Sequence, residues 1–214
     1  MAENNQGQQN QAAQEQDIHQ LLKVRIEKLA NLQEAGKDPF QITKYDVTHH
    51  SREIKDNFET LEGKTVSIAG RIMQKRVMGK ASFCNVQDLQ GNIQTYVARD
   101  NIGEESYADF KKYDVGDIVG VKGEVFKTKT GEISIHAQEI TLLSKALLPL
   151  PEKWHGLKNQ DTRYRKRYLD LIVNPDVKQT FVTRSRILRE IRDYLDNLGY
   201  VEVETPVLLP IQIA

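Results

Sequence analysis

The spacing of apolar residues near the N-terminus predicts one amphipathic helix. Its apolar side chains recur on a single helical stripe: Ile18, Leu21, Leu22, Leu29 and Leu32. Asp17 suits the N-cap of this helix, Gly36 suits the position after its C-cap, and Pro39 cannot continue it. Residues 17–63 are therefore predicted to form a helix followed by a connector.

The basic residues of this helix lie away from its apolar stripe. They are Lys23, Arg25 and Lys28. A solvated face and a face that contacts phosphates both fit this placement, and we favour the solvated face.

From Lys64 onward the period of the pattern changes to two, which is typical of strands. The first strand alternates Val66, Ile68, Gly70 and Ile72 against Ser67, Ala69 and Arg71. The segments that follow are strands on either side of residues 90–92, a helix over residues 104–113, and strands on either side of residues 129–131. Three strands, a short helix and two strands are the order of the five-stranded OB barrel, which we predict for residues 64–148.

The last part of the chain returns to helical spacing. Residues 149–175 are predicted to be a linker with a basic helix, and residues 176–198 a second long helix. Gly199 ends this helix, and "YVEVETP" has the character of a strand that ends at Pro206. Residues 1–16 are rich in Gln and Asn and are predicted to be a disordered tail. The predicted fold class is α+β, mainly β, with the barrel between two helical segments.

Composition narrows the classes of function. The 214 residues include 30 basic and 30 acidic ones, so nucleic-acid binding would need a local cluster of positive charge. Cys84 is the only cysteine, which excludes a disulfide framework and a multi-cysteine zinc site. The histidines show no metal-ligand spacing, so no metal site is predicted. Because no apolar run has the length of a membrane span and the N-terminus lacks a secretory pattern, we expect a cytoplasmic protein without membrane attachment.

The polar face of the predicted barrel carries an aromatic residue, Phe83, in the second strand. OB folds bind single strands on the face of strands 2 and 3, where a ring that stacks on an unpaired base contributes about 1–3 kcal/mol. Arg71 and Gln94 share this parity, and Glu132 follows the turn into the fifth strand. Two alternatives stay open: Phe83 packs beneath a loop or the N-terminal helix, and Glu132 is an ordinary hairpin residue.

The hydrogen-bonding groups of Arg71, Gln94 and Glu132 restrict which base would bind beside Phe83. Uracil has an N–H donor at N3 between two carbonyl acceptors. A Glu carboxylate accepts from N3–H, a Gln amide both accepts and donates, and an Arg guanidinium donates to carbonyl or phosphate oxygens. The set therefore suits uridine-rich single-stranded RNA better than a purine site.

Several blocks of the sequence carry a family resemblance. They are "AGRIMQKRVMGKASF", "IQTYVARD", "FKTKTGEISIHAQEI" and "LLPLPEKWHGLKNQDTRYRKRYLDLI". These blocks resemble bacterial lysyl-tRNA synthetase, a class II enzyme of the lysyl, aspartyl and asparaginyl subgroup. "TRSRILREIRDYLDNLGYVEVETP" resembles motif 1 of that class and ends on its characteristic proline, Pro206. Residues 176–214 are accordingly identified as the start of the class II catalytic domain.

This resemblance implies an ATP-dependent lysine–tRNA ligase whose OB domain recognises the anticodon of lysine tRNA. It implies that Phe83 stacks on an anticodon base and that Arg71, Gln94 and Glu132 contact anticodon groups. Motif 1, with Pro206, would belong to the interface of a homodimer. The parent enzyme would bind lysine, ATP and Mg²⁺, and neither cofactor is expected to bind this chain. Motifs 2 and 3 of the class, which contact ATP, do not follow Pro206, so the chain alone is expected to be inactive, with no catalytic residues of its own.

Alternatives remain for the chain and for its function. The chain is a shortened one, part of a longer enzyme or a natural fragment, and we favour a piece of a complete synthetase. The alternative function is that of a stand-alone RNA-binding or regulatory fragment without catalysis. A sequence-indifferent single-strand binder is disfavoured, because such grooves use several aromatic rings and strong basic tracks, and Glu132 would repel phosphates.

Overall fold

The computed structural model describes residues 2–151, 157 and 159–205, with side chains from residue 17 onward. The chain divides into two compact units, Met1–Leu150 and Pro151–Ala214. Within the described residues, the first unit contains a barrel and the second contains helices only. None of the helices in this part of the chain combines the length and the apolar character of a membrane span.

The N-terminal helix α1 spans Ala2–Glu34 and so begins well before the predicted N-cap, Asp17. The structure differs here from the predicted disordered tail, because Ala, Gln and Glu favour a helix and no proline interrupts this segment. The predicted C-terminal end is confirmed, since Gly36 has a φ of 70°. The N–H of Gly36 donates to the carbonyl of Gln33 at 3.0 Å, and that of Lys37 to Leu32 at 2.8 Å, as in a Schellman motif.

Arg25 links α1 to the rest of the first unit through hydrogen bonds to main-chain carbonyls. Arg25 is only 9% exposed. Its Nη1 donates to the carbonyl oxygens of Ala146 and Leu148 at 3.0 and 3.1 Å, and its Nη2 donates to that of Val115 at 3.2 Å. The interpretation of Arg25 as part of a solvated face is therefore wrong. A planar guanidinium with five donors can satisfy several buried carbonyls at once, which spacing along a helix does not reveal.

Two short helices, Ser51–Asp56 (α2) and Phe58–Leu61 (α3), precede a closed barrel of five strands. The strands are Thr65–Met78 (β1), Ala81–Gln87 (β2), Asn92–Ala98 (β3), Ile118–Lys127 (β4) and Ile133–Ser144 (β5), with helices Arg99–Ile102 (α4) and Glu104–Lys112 (α5) between β3 and β4. The order around the barrel is β1-β2-β3-β5-β4. All neighbours are antiparallel except β3 and β5, which are parallel. The predicted OB barrel is confirmed.

Alternate strand residues and one helix fill the barrel. The fully buried aliphatic side chains include Ile68, Ile72, Val86, Val97, Val121 and Ile135. Tyr107 and Phe110 of α5 pack into the same core. Lys75 of β1 caps the C-terminal end of α5. Its Nζ donates to the carbonyl oxygens of Phe110, Lys111 and Tyr113 at 2.7, 3.0 and 2.6 Å. Burial at this position lowers the pKa of Lys75 to about 8.

Glycines inside the strands permit close contacts. A Cβ on Gly70 would lie 2.5 Å from the carbonyl oxygen of Gln87, and a Cβ on Gly120 would lie 2.3 Å from the ring of Tyr45. A side chain at either position would displace the main chain or the ring, which accounts for glycine within these strands.

The described helices of the second unit are Gln160–Arg165 (α6), Arg167–Val173 (α7) and Pro175–Asn197 (α8). Buried Asp170 joins α7 to α6, since it accepts from Nε of Arg163 at 3.0 Å, and it also pairs with Arg167 of its own helix. The guanidinium of Arg167 also lies over the rings of Tyr164 and Phe181, at 5.1 and 5.3 Å from their centroids. The basic segment is therefore packed on α8 through the guanidinium of Arg167.

Helix α8 agrees with the long helix predicted for residues 176–198, whereas the strand predicted after it is not formed over residues 200–205. A strand needs a neighbour for its backbone hydrogen bonds, and the described residues of this unit contain no other strand. Pro206 lies outside the described residues. Apolar side chains of α8 remain exposed, among them Ile187 at 54%, Ile191 at 51% and Tyr194 at 66%.

Candidate nucleic-acid interface

A cleft of about 970 Å³ opens on the barrel surface beside β1, β2, β3 and the β4–β5 turn. Its lining residues are Met73, Gln74, Lys75, Arg76, Met78, Phe83, Cys84, Asn85, Gln94, Tyr96, Val115, Phe126, Thr128, Lys129 and Thr130. This set contains aromatic, amide, hydroxyl and basic side chains and no carboxylate. Such a surface suits a negatively charged ligand with flat rings.

Phe83 lies in this cleft, as its parity predicts. The ring is partly exposed and is not a member of the buried core. Across the β2–β3 ladder Phe83 is paired with Tyr96, whose ring centroid lies 5.0 Å away with the planes tilted by 51°. The partial exposure of the Phe83 ring leaves surface on which a base can stack.

Phe83 is the end of a row of rings that crosses four strands, β2, β3, β5 and β4. Tyr96 contacts His136 at 5.1 Å and Phe126 at 6.4 Å between centroids, and Phe126 contacts His136 at 5.8 Å. The register places Tyr96 beside both Phe83 and His136. Sequence reasoning missed Tyr96 and Phe126 as site residues. The signal was present, since Tyr96 has the parity of Gln94 and Phe126 becomes its neighbour once β4 is aligned with β5.

Gln94 also lies in the cleft, opposite Asn85 on β2. Its Oε1 accepts a hydrogen bond from Oγ of Ser134 on β5 at 3.0 Å. Because this bond holds the oxygen, the amide nitrogen of Gln94 is the donor that can serve a ligand. Asn85 is held in turn, since its Nδ2 donates to Oε1 of Gln74 at 3.0 Å.

Arg71 is not among the residues that line the cleft. In the β1–β2 ladder it faces Gln87, four residues from Phe83, which corresponds to about 13 Å along a strand. Its Nη1 donates to the carbonyl oxygen of Gly116 at 2.7 Å. Burial lowers the pKa of Arg71, and the nearby carboxylate of Asp117 opposes this effect. The structure therefore gives Arg71 a main-chain contact and does not bring it to Phe83.

Arg76 is a cation beside Phe83 that was not predicted from the sequence. The β1–β2 register shifts between Ile72 and Gln74, so β1 has a bulge at this point. Beyond the bulge, Gln74 and Arg76 share the face of Phe83, and Arg76 stands directly opposite Phe83. Strict alternation from Arg71 would have placed Lys75 there instead. A single inserted residue thus places Arg76, and not Lys75, opposite Phe83, and no signal in the sequence marks it.

Glu132 lies at the border of the cleft and not in its lining. It follows the turn whose members Thr128, Lys129 and Thr130 do line the cleft. Its N–H donates to Oγ1 of Thr128 at 3.0 Å, and its carbonyl accepts from the N–H of Thr128 at 2.9 Å. The side chain is half exposed and pairs with Lys55 at 3.3 Å. The hairpin role of Glu132 is thus real, and its carboxylate is also accessible.

The arrangement can perform the two tasks of single-strand binding. Rings in a row offer stacking surfaces for unpaired bases, and amides beside them offer donors and acceptors for base edges. Arg76 on one side of the rings and Lys129 on the other side provide positive charge for phosphates. Among the described residues there is no group of three carboxylate, imidazole or thiol side chains placed to hold a metal ion.

Comparison with known proteins agrees with this description. A family model described as OB-fold nucleic acid binding domain matches residues 66–143, and one described as tRNA synthetases class II (D, K and N) matches residues 159–214. Lysine–tRNA ligases of Clostridium botulinum (strain Langeland) and Clostridium tetani are each 54% identical to this chain over 92% of its length. That of Clostridium novyi is 53% identical over 94%. The chain spans 39% of the length of each of these relatives.

The resemblance to the N-terminal part of lysyl-tRNA synthetases is confirmed.

The match to the OB-fold nucleic acid binding domain includes the whole cleft. Every lining residue falls within the OB-fold match, as do Arg71 and Glu132. Helix α8 and Pro206 fall within the class II match. The two units of this chain thus correspond to two different family descriptions, one for nucleic-acid binding and one for the synthetase class.

Proposed function

We propose that the barrel binds the anticodon of lysine tRNA in the cleft of Phe83, as part of a lysine–tRNA ligase. The observation that carries this proposal is the row of rings from Phe83 to Phe126, flanked by amides and by Arg76 and Lys129. The similar proteins are named lysine–tRNA ligases, which supports the same reaction for the whole enzyme.

Each side chain has a separate task in this proposal. Phe83 stacks on an unpaired uridine, and the amide nitrogen of Gln94 donates to a carbonyl oxygen of the base. Glu132 accepts from the N3–H group, which distinguishes uracil from cytosine because cytosine has an unprotonated N3 there. Arg76 binds a phosphate, and Arg71 supports the end of the cleft through its bond to Gly116.

Catalysis belongs to the whole enzyme in this proposal. ATP would activate lysine there, with Mg²⁺ as counter-ion of its phosphates. We assign both groups to the whole enzyme. The exposed apolar residues of α8 support the assignment of motif 1, including Pro206, to a homodimer interface.

The proposal is tested with lysine tRNA and with the same tRNA carrying cytidines in place of its anticodon uridines. We expect the wild-type chain to bind the first more tightly in a filter-binding or fluorescence-anisotropy titration. Equal affinity for the two RNAs would refute anticodon reading. For the stand-alone alternative, the intact mass of the native gene product decides: a mass near 24.5 kDa supports it, and a much larger mass removes it.

A further inference from the structure

The helix that carries Lys55 is fixed to the barrel. In α2, Ile54 is fully buried in the core. At the start of α2, both the N–H and the Oγ of Ser51 donate to the carboxylate of Asp88 at 2.6 Å. Asp88 belongs to the turn between β2 and β3 and also accepts the N–H of Gly91 at 2.8 Å. The main chain of Lys55 is therefore held in place relative to the strands that carry Phe83 and Gln94.

Lys55 reaches from this helix to Glu132. Its Nζ lies 3.3 Å from Oε1 of Glu132, and the two side chains are 38% and 50% exposed. The main chain of Glu132 is fixed as well, through its two hydrogen bonds with Thr128. Next on the same face, Ser134 donates to both the carbonyl of Glu132 and the side chain of Gln94. The ion pair thus joins a fixed helix to the strand that supports the base-reading amide.

A carboxylate that reads a base beside phosphates needs a counter-charge. Without one it repels the phosphates of the RNA, and its rotamers are free. An ammonium on Oε1 removes part of this repulsion and restricts the rotamers of the side chain. The second carboxylate oxygen, Oε2, keeps its lone pairs and can still accept a hydrogen bond.

We propose that Lys55 is a positioning residue that holds Glu132 for recognition of the N3–H group of a uridine. This inference rests on the proposed function. Lys55 contacts the carboxylate and not the base, so its contribution is expected in the discrimination between uridine and cytidine. A lysine that bound only a phosphate would instead strengthen binding to both RNAs equally.

The test is a double-mutant cycle with the full chain and two RNA hairpins. One hairpin carries an all-uridine anticodon, and the other has cytidine at the middle position. Lys55→Met is expected to lower the ratio of the two affinities about threefold, the size of an exposed ion pair, and Lys55→Arg to retain it. In a Glu132→Gln background, Lys55→Met is expected to leave the ratio unchanged. Lys112→Met, which removes the exposed pair with Asp109 on α5, is the matched control and should change nothing.

The outcomes separate the inference from the function on which it rests. If the wild-type chain does not distinguish the two hairpins, anticodon reading itself is refuted. If the wild type does distinguish them but Lys55→Met weakens both equally, the positioning role is refuted and a phosphate contact takes its place. The positioning role is also refuted if Lys55→Met changes the ratio as much in the Glu132→Gln background as in the wild type. The melting temperature of each variant, measured by thermal unfolding, is the control for a folded barrel.

Discussion

The barrel and helix α8 differ in what they leave exposed. In the barrel, each strand is hydrogen-bonded to a neighbour on both sides, and Ile68, Val97 and Ile135 are completely buried. What remains on its surface beside β2 and β3 is a row of partly exposed rings and polar groups. Helix α8 leaves aliphatic residues such as Ile187 and Ile191 more than half exposed.

The difference indicates two surfaces that bind different kinds of partner. On the barrel, the exposed rings are not needed for the core, so their exposure points to a ligand with flat, polar groups. On α8, the exposed residues include several aliphatic ones, and a further protein surface is the expected cover. Matched substitutions in the barrel and in α8 can test this difference. Variants in the barrel should change stability or RNA affinity, whereas the matched variants in α8 should change neither.

The largest difference is expected between two isoleucines. Ile135→Ala in β5 should lower the free energy of unfolding by about 2–5 kcal/mol, because it creates a cavity in a fully packed core. Ile191→Ala in α8 is the matched change at a half-exposed site and should stay within about 0.5 kcal/mol. Urea unfolding followed by circular dichroism measures both. Similar losses for the two variants would show that α8 is as well packed as the barrel.

Two exposed rings give the next largest contrast. Phe83→Ala should weaken binding of the uridine hairpin by about 1–3 kcal/mol, since a stacking surface is lost, with little change in thermal stability. Tyr194→Ala removes a ring that is 66% exposed on α8 and should leave RNA affinity unchanged. Anisotropy titrations and thermal melts measure the two properties. A large fall in melting temperature for Phe83→Ala would instead make Phe83 a core residue.

The sequence predicted the regular parts of this molecule and missed the irregular ones. Period-two alternation and turn residues were sufficient for the barrel, because each strand has one buried face. The bulge after Ile72 left no mark in the sequence, and it places Arg76 instead of Lys75 opposite Phe83. Burial of Arg25 depends on carbonyls more than a hundred residues away, so helical spacing could not show it. The strand after Gly199 was predicted from local preference, which cannot supply a pairing partner.

Acid should lower the free energy of unfolding of the barrel, because Asp88 becomes protonated. Burial by itself would raise the pKa of Asp88, but hydrogen bonds from Ser51, Gly91 and Gln90 outweigh it and hold that pKa below the ordinary 3.8. Ionised Asp88 therefore stabilises the folded state fully above pH 3.8, and this contribution is lost as pH falls through the lowered pKa. Asp88→Asn should cost about 1–2 kcal/mol at neutral pH and reduce the loss of stability in acid. Unfolding by urea at pH 7 and at low pH measures both, and an unchanged acid dependence would contradict the assignment.

The smallest effect is expected in the salt dependence of RNA affinity, where Arg76 and Arg71 should differ because of their positions. Arg76 is exposed opposite Phe83, whereas Arg71 is half-buried on the carbonyl of Gly116. A phosphate contact releases counter-ions, so Arg76→Gln should reduce the slope of log affinity against log salt by about 0.7, the value for one phosphate of a single strand. Arg71→Gln should lower stability and leave the slope unchanged. Arg186→Gln on α8 is the control in the other region and should change neither the slope nor the affinity for the hairpin.

If Arg71→Gln changed the slope and Arg76→Gln did not, the phosphate contact would lie beside Gly116 and not beside Phe83. The position of Arg76 opposite Phe83, which follows from the bulge in β1, would then have no consequence for phosphate binding. With the expected result, the arginine that the register places beside Phe83 is the one that meets the RNA. The salt titration therefore tests the position of each arginine through its chemistry, independently of the stability measurements.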